Sequence, residues 1–347
     1  STLFLFALAA IYAQTGTLNM ADLAQRVALI ADDATVGIRL AAVLLLMVFA
    51  IKAAVVPLHF WLPNSYAEAP APVAALFAIM TKVGAYAIIR VYTMVFPPNL
   101  AVTDGLHTTW LLPAALLSLA IGMIGVLADK QLDRVIVFSV IGSMGMVMIA
   151  IALFTPASIA AALYYIVHST LAAALLFLVV DMTRAGRANL DLTSQPPVAG
   201  AALTAALFFL GAIAMAGLPP LSGFIGKLLV LDASFTSPIW HWVWATVLIS
   251  SLISVVGFGR AGSVVYWKAQ SVERDADMPV APRPTTLSYV AVGGLVVLLV
   301  AHTAFAGQMH AYTTTMAAQL FASEPYQAKV LETPGKLSGA DKSAGDH

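Results

Sequence analysis

Apolar residues gather in this chain into blocks of about 20, the length at which a helix crosses the hydrocarbon core of a bilayer. Of 347 residues, 61% are hydrophobic and 10% charged, against about 25% charged in an ordinary soluble domain. A water-soluble globule is excluded. So is an outer-membrane barrel, whose strands alternate lipid-facing and lumen-facing residues. The fold class is therefore an all-α membrane protein, a polytopic helix bundle.

Punctuation by proline, glycine and charge divides the chain into about nine spans, at 2–14, 36–62, 71–96, 108–128, 131–154, 157–181, 199–231, 239–267 and 285–307. The first is too short to cross. It opens at Ser1 and runs out by Gln14, so it reads as the end of a helix that starts before this chain does. No basic stretch precedes it, which argues against a signal peptide. Asn19 can then cap a short interfacial helix with Leu23, Val27 and Ile30 on one face and Asp22 and Arg26 on another; a plain connecting loop is the alternative. The membrane domain is expected to fill residues 1–310, with 311–347 a polar C-terminal tail, loosely ordered after Leu320.

Seventeen Lys and Arg balance seventeen Asp and Glu, so no bulk charge points to nucleic acid. The absence of cysteine removes disulfides, thiolate metal centres and iron–sulfur ligation. No His-x-x-Glu-His, Gly-x-Ser-x-Gly or phosphate-cradling loop occurs, so an enzyme is the weakest class and neither cofactor nor bound metal is expected. Alternating the loops puts Lys130, Arg134, Arg184, Arg187, Arg260, Lys268, Arg274 and Arg283 on one side. Arg26, Arg39, Arg90 and the tail lysines fall on the other. The basic side should be cytoplasmic, which sends the C-terminus outward.

The few charges inside spans carry the chemistry. A lysine at mid-membrane costs about 2.5–3.5 kcal/mol on insertion scales and is seldom there without a use. Lys82 lies near the midpoint of its span, and Lys52 about three residues, or about 5 Å, past the midpoint of its own. Lys227 follows the break Gly217-Leu-Pro-Pro-Leu-Ser-Gly223, and His168 centres the sixth span. Pro57 interrupts one span five residues after Lys52, and Pro219 and Pro220 interrupt another ahead of Lys227. Proline frees a backbone carbonyl, which at membrane depth is tolerated only where protein or water satisfies it. Paired broken helices point to an ion pathway built from inverted repeats, and here each break stands beside a lysine.

Lysines held away from water can load and release a proton. Two such charges about 10 Å apart, at an effective dielectric of about 20, repel by about 1.7 kcal/mol, enough for loading one to unload the next. His168 would serve as an intermediate station. The alternatives are lysines paired to carboxylates for packing and a histidine hydrogen-bonded in a core. Arg90 reads as a snorkelling residue, and His59, His107, His241, His302 and His310 fall near loops or span ends, where a packing role is the default. Glu68 reads as complementing the start of the third span, and Gly142, Ser143 and Gly145 as a surface for close helix contact.

Four ordered segments carry a resemblance: KAAVVPLHFWLPNSYAEAPAPVAALFAIMTKVGAYAIIR from Lys52 to Arg90, then DKQLDRVIVFSVIGSMGMV, YYIVHSTLAAALLF and MAGLPPLSGFIGKLLVL. They resemble the antiporter-like subunits shared by Mrp cation/proton antiporters and respiratory complex I. WLPNSYAEAP, GFGRAGSVVYW and PYQAKVL are most similar to the D-type branch of the Mrp (Pha) antiporters of Gram-negative bacteria. The resemblance implies that Lys52 matches the lysine of the family's broken seventh helix, Lys82 that of the eighth, His168 the eleventh-helix histidine and Lys227 the lysine of the broken twelfth. It also implies that about five preceding helices lie outside this chain, with the glutamate that pairs with the first lysine.

The function so implied is proton translocation within a multisubunit Na⁺/H⁺ antiporter of the bacterial inner membrane. Its partners would be the other Mrp (Pha) subunits, membrane lipid, H⁺ and Na⁺. Two rivals stand beside it. One is a proton-pumping subunit of complex I or a related hydrogenase, and the other a structural scaffold with inert, paired lysines.

Overall fold

The computed structural model describes residues 2–30, 35–273 and 283–332. In chain order its helices are α1 (Thr2–Thr15), α2 (Met20–Ala28), α3 (Thr35–Lys52), α4 (Trp61–Ala67), α5 (Ala71–Met94), α6 (Leu112–Ala128) and α7 (Leu132–Leu153). They continue as α8 (Pro156–Arg184), α9 (Ala201–Ala216), α10 (Ser222–Ser234), α11 (Trp240–Gly262), α12 (Thr286–Ala304), α13 (Ala306–Phe321) and α14 (Glu324–Leu331). A π-helical turn, Leu106–Leu111, leads into α6, and another, Ser263–Trp267, extends α11. Among the described residues the architecture is helical throughout.

Seven of these helices are long and apolar enough to cross a membrane, or eight if the pair α1 and α2, bent by 57°, counts as one. The expectation of about nine spans differs for a local reason. The expected span 36–62 divides into α3 and α4 on either side of a break, and 199–231 divides into α9 and α10, so neither α4 nor the 16-residue α9 has a crossing's length by itself. The 14-residue α1 is also short. This is a multi-pass membrane protein with two broken helices.

Helix α7 is the axis. Nearly every residue from Leu132 to Ala152 is buried, as in a helix apolar all round and packed on every side. The small-residue surface expected at Gly142, Ser143 and Gly145 is where α6 meets it. A Cβ added at Gly145 would stand 2.3 Å from the Leu119 backbone nitrogen, so only a missing side chain lets the two backbones approach so closely. Against the other side of α7 lies α8, 29 residues long. It begins in a capping box in which Thr155 and Ser158 satisfy each other's backbone N–H, with Pro156 at the first helical position.

Helices α12 and α13 run antiparallel to α8 along its length. Leu287 and Ser288 share a cavity with Asp181 near one end of α8, His302 stacks on Tyr164 in its middle, and Phe321 meets Phe154 just before its start. The crossing expected at 285–307 is α12, and a separate helix, α13, follows it along α8 from Ala306 to Phe321. The stretch after Leu320, expected to be loosely ordered, carries α14 instead, and Tyr326 is held there under the Arg90 guanidinium at 4.8 Å. Arg90 thus grips the C-terminal helix through a cation–π contact and does not simply reach for headgroups. Residues 333–347 of the expected tail, and Arg274, lie outside the described residues.

A short helix does follow Asn19, as α2. The Asn19 side chain accepts from the Ala21 N–H, Leu23 and Val27 are buried, and Asp22 pairs with Arg26 at 2.9 Å. The basic residues sort by end, as the loop alternation requires. Arg134 pairs with Asp129 at 3.1 Å and Arg184 with Asp133 at 3.2 Å. Arg260 donates to the Asp129 carbonyl and Arg187 to those of Asp191 and Val265. Arg39, on the opposite end, donates to the carbonyls of Ala101 and Asp104.

Candidate functional site

The two broken helices are built alike. Helix α3 ends at Lys52, and Ala54 adopts a left-handed conformation at φ 54° before the chain passes Pro57 into α4. Helix α9 ends at Ala216, Gly217 adopts φ 71°, and the chain passes Pro219 and Pro220 into α10. At each break a hydroxyl from another helix takes an amide hydrogen that the break leaves without an intrahelical partner. Ser118 of α6 accepts from the Val56 N–H at 2.8 Å, and Thr303 of α12 accepts from the Ser222 N–H at 3.0 Å. The breaks are therefore satisfied by protein, as non-helical backbone at membrane depth requires.

Lys227 folds back onto its own break. Its ammonium donates to the Ala216 carbonyl at 2.6 Å and to the Ser251 hydroxyl of α11 at 2.7 Å, with 5% of the residue exposed. Ala216 is the last residue of α9, so the ammonium sits on a freed carbonyl at the negative end of a helix dipole. Gly217 makes this possible, because a Cβ there would stand 2.7 Å from the lysine's own Cδ and Cε. The break and the lysine are thus a single local device.

His168 is fully buried on α8, and its Nδ1 shares a hydrogen bond of 2.9 Å with the Ser222 hydroxyl at the start of α10. Its Nε2 faces the Ala214 carbonyl without closing a hydrogen bond. Lys82 on α5 is buried, and among the described residues no acceptor reaches its Nζ. Helix α8, which carries His168, packs against α5 and also against α9, α10 and α12. The structure therefore brings Lys82, His168 and Lys227 to one region, with His168 between helix α5 and the break of α9 and α10.

Lys52 stands apart from them. Expected as a buried group, it is exposed on a cavity lined by Phe4, Val48, Trp61, Met80 and Val83. Lys52 is the terminal residue of α3, and its cavity opens between α1, α3 and α5. The Trp61 indole reaches across this break to the Ile51 carbonyl at 2.9 Å. Glu68 is the residue that ends α4 and is exposed, two positions before the α5 cap at Pro70.

Two residues of this region are not singled out by sequence alone. Ser251 offers no motif, being one of several serines on an apolar helix. His302 reads as a span-end residue; packing of α12 on α8, with its ring against Tyr164, places it inside, 5% exposed. The signal available is its neighbour: a His-Thr pair within an apolar run, like His168 with Ser169 and Thr170.

Comparison with known proteins agrees with this fold. Residues 1–254 match the family described as NADH:quinone oxidoreductase/Mrp antiporter, transmembrane. The chain is 32% identical to the D-type subunit of a probable K⁺/H⁺ antiporter from Rhizobium meliloti, over 96% of this chain and 66% of that protein. It is 38% identical to the D-type subunit of the Na⁺/H⁺ antiporter from Bacillus subtilis, over 77% of this chain and 53% of that protein. The chain thus spans about half to two thirds of the length of these relatives. It superposes on a chain of the Mrp complex from Dietzia sp. DQ12-45-1b with a TM-score of 0.82 at 25% identity, covering 95% of this chain and 67% of that one. A chain of respiratory complex I from Thermus thermophilus shares the fold, with a TM-score of 0.76 at 23% identity over 92% of this chain and 66% of that one. The relatives named as antiporter subunits are transporter components, and the solved chains come from membrane complexes. This chain belongs to the NADH:quinone oxidoreductase/Mrp antiporter transmembrane family.

Proposed function

We propose that this protein is a proton-translocating subunit of a multisubunit monovalent cation/proton antiporter, and that Lys52, Lys82, His168 and Lys227 carry the proton in that order across the membrane plane. Its partners are the other Mrp (Pha) subunits and the surrounding lipid, and the exchanged ions are H⁺ and Na⁺. The complex sits in the bacterial inner membrane with this chain's C-terminus on the periplasmic side.

The observation that carries the reading is Lys82, a lysine sunk in the bundle with no acceptor on its nitrogen among the described residues, on a helix packed against the one that carries His168. A lysine kept only for packing would be held by a carboxylate, and none of the ion pairs among the described residues includes Lys82 or Lys227. An unpaired charge is expensive in hydrocarbon, so a site of this kind fits a group whose charge comes and goes. A group that cycles between ammonium and amine can pass a proton without requiring a permanent counter-ion. Proline-broken helices beside Lys52 and Lys227 supply freed carbonyls and room for water, the environment in which broken helices of transporters bind their ions.

The test is Lys227→Ala in the assembled complex. Na⁺-driven proton movement, followed with a pH-sensitive dye in inverted vesicles at matched protein level, should collapse. Wild-type exchange by that variant would leave the scaffold reading in its place.

A further inference from the structure

Beyond the four residues of the relay stands another titratable side chain buried against it. His302 of α12 lies with its ring on Tyr164 of α8, centroids 4.4 Å apart and planes tilted by 30°. Tyr164 is four residues before His168, hence one helical turn away on the same face of α8. The residue next to His302 closes the link from the other direction: Thr303 accepts the Ser222 N–H, and the Ser222 hydroxyl bonds His168 Nδ1.

His302 is held in place by packing and by almost nothing else. With 5% of the residue exposed, neither ring nitrogen closes a hydrogen bond of ordinary geometry among the described residues, and the Tyr164 backbone stands close enough to interact with the ring. The Tyr164 hydroxyl is likewise without a partner among them. A core histidine retained for packing normally has its nitrogens satisfied. One that keeps two free nitrogens beside another buried histidine has the capacity to take a proton and return it. The titratable groups around it are Tyr164 and His168 on α8, with Lys227 on α10 and Lys82 on α5, helices that pack against α8.

We propose that His302 is a further proton-carrying residue, a side station that exchanges a proton with His168 at the break between α9 and α10. The inference rests on the relay reading above. In the transfer one N–H bond breaks at the His168 ring and one forms at a nitrogen of His302, and each ring passes between its cationic and neutral forms. No electrons move and no co-reactant is required. Because Thr303 also satisfies the break, α12 brings the station and the support for α10 in adjacent residues. Motion of α12 against α10 would open or close the transfer.

The experiment uses the full-length protein in its assembled complex, with Na⁺- or K⁺-driven proton movement measured in inverted vesicles across a range of pH. His302→Phe keeps an aromatic ring on Tyr164 and cannot bind a proton; His302→Gln keeps hydrogen bonding and cannot bind one either. Both should assemble normally, lose about a hundredfold in turnover, the low side of what a positioned proton-transfer group contributes, and change the pH profile of what remains. Wild-type turnover and profile in His302→Phe would overturn the proposal, as would a loss in His302→Phe that His302→Gln fully restores, since the role would then be hydrogen bonding. Should His302→Phe fail to assemble, His302→Gln decides: lost turnover with an altered profile supports the station, and wild-type behaviour overturns it. A wild-type complex that moves no protons against either cation would instead defeat the relay reading itself.

Discussion

At the scale of single residues, the site is a set of basic groups each held differently. Lys227 has two acceptors, Lys82 has none among the described residues, His168 has one hydroxyl and Lys52 faces a cavity. Ser251 is the test of whether these differences matter. Its hydroxyl accepts from the Lys227 ammonium at 2.7 Å, and hydrogen bonds to charged groups contribute about 1.5–3 kcal/mol. Ser251→Ala should therefore lower exchange by about tenfold, the equivalent of about 1.4 kcal/mol, while the complex assembles at the wild-type level. Turnover equal to wild type in vesicles would mean that the Ala216 carbonyl alone suffices. The positions of Lys82, His168 and Lys227 were legible in the sequence, because intramembrane charge is rare enough to stand out. Ser251 was not, since a serine costs little in a transmembrane helix and carries no signal of what it faces.

At the scale of elements, each broken helix depends on a hydroxyl from elsewhere in the bundle. Ser118→Ala would leave the Val56 N–H buried and unpaired, and Thr303→Val would do the same to Ser222. An orphaned buried donor costs about 1–3 kcal/mol. Each variant should lower the thermal denaturation midpoint of the purified protein, and Thr303→Ser, which keeps the acceptor, should restore it. A midpoint unchanged in Thr303→Val would show that water replaces the hydroxyl. The breaks themselves were readable from Pro57, Pro219 and Pro220, since proline cannot continue the hydrogen-bond ladder. Which helices satisfy the freed groups was not readable, because Ser118 and Thr303 are distant in sequence from the breaks they serve and become their neighbours only through packing.

Across the whole molecule, the charged residues divide between two ends. Arg134, Arg184, Arg187 and Arg260 bind the carboxylates and carbonyls of one end, while Arg39 and Arg90 secure the other, where α14 lies. The excess of Lys and Arg in short loops marks the cytoplasmic side. A chain without cysteine makes this directly measurable. In the full-length protein, with any cysteine outside these 347 residues replaced, Ser194→Cys should react with a membrane-impermeant thiol reagent only from the cytoplasmic face, and Glu324→Cys only from the periplasmic face. Labelling of both from one side would overturn the orientation.

By itself the sequence determined that the chain is a bundle of membrane helices, that two are broken, and that a few basic residues lie where lipid would reject them. Hydropathy, proline chemistry and the cost of intramembrane charge act locally, so a linear reading captures them. Tertiary structure alone decided which of those residues meet. Packing buries Lys82 on a helix set against the one that carries His168, bonds His168 to the start of the helix that carries Lys227, leaves Lys52 on a cavity, and lays α12 along α8 so that His302 reaches Tyr164. Contacts between distant segments depend on how apolar faces fit together, and no stretch of about 20 residues records what will pack against it.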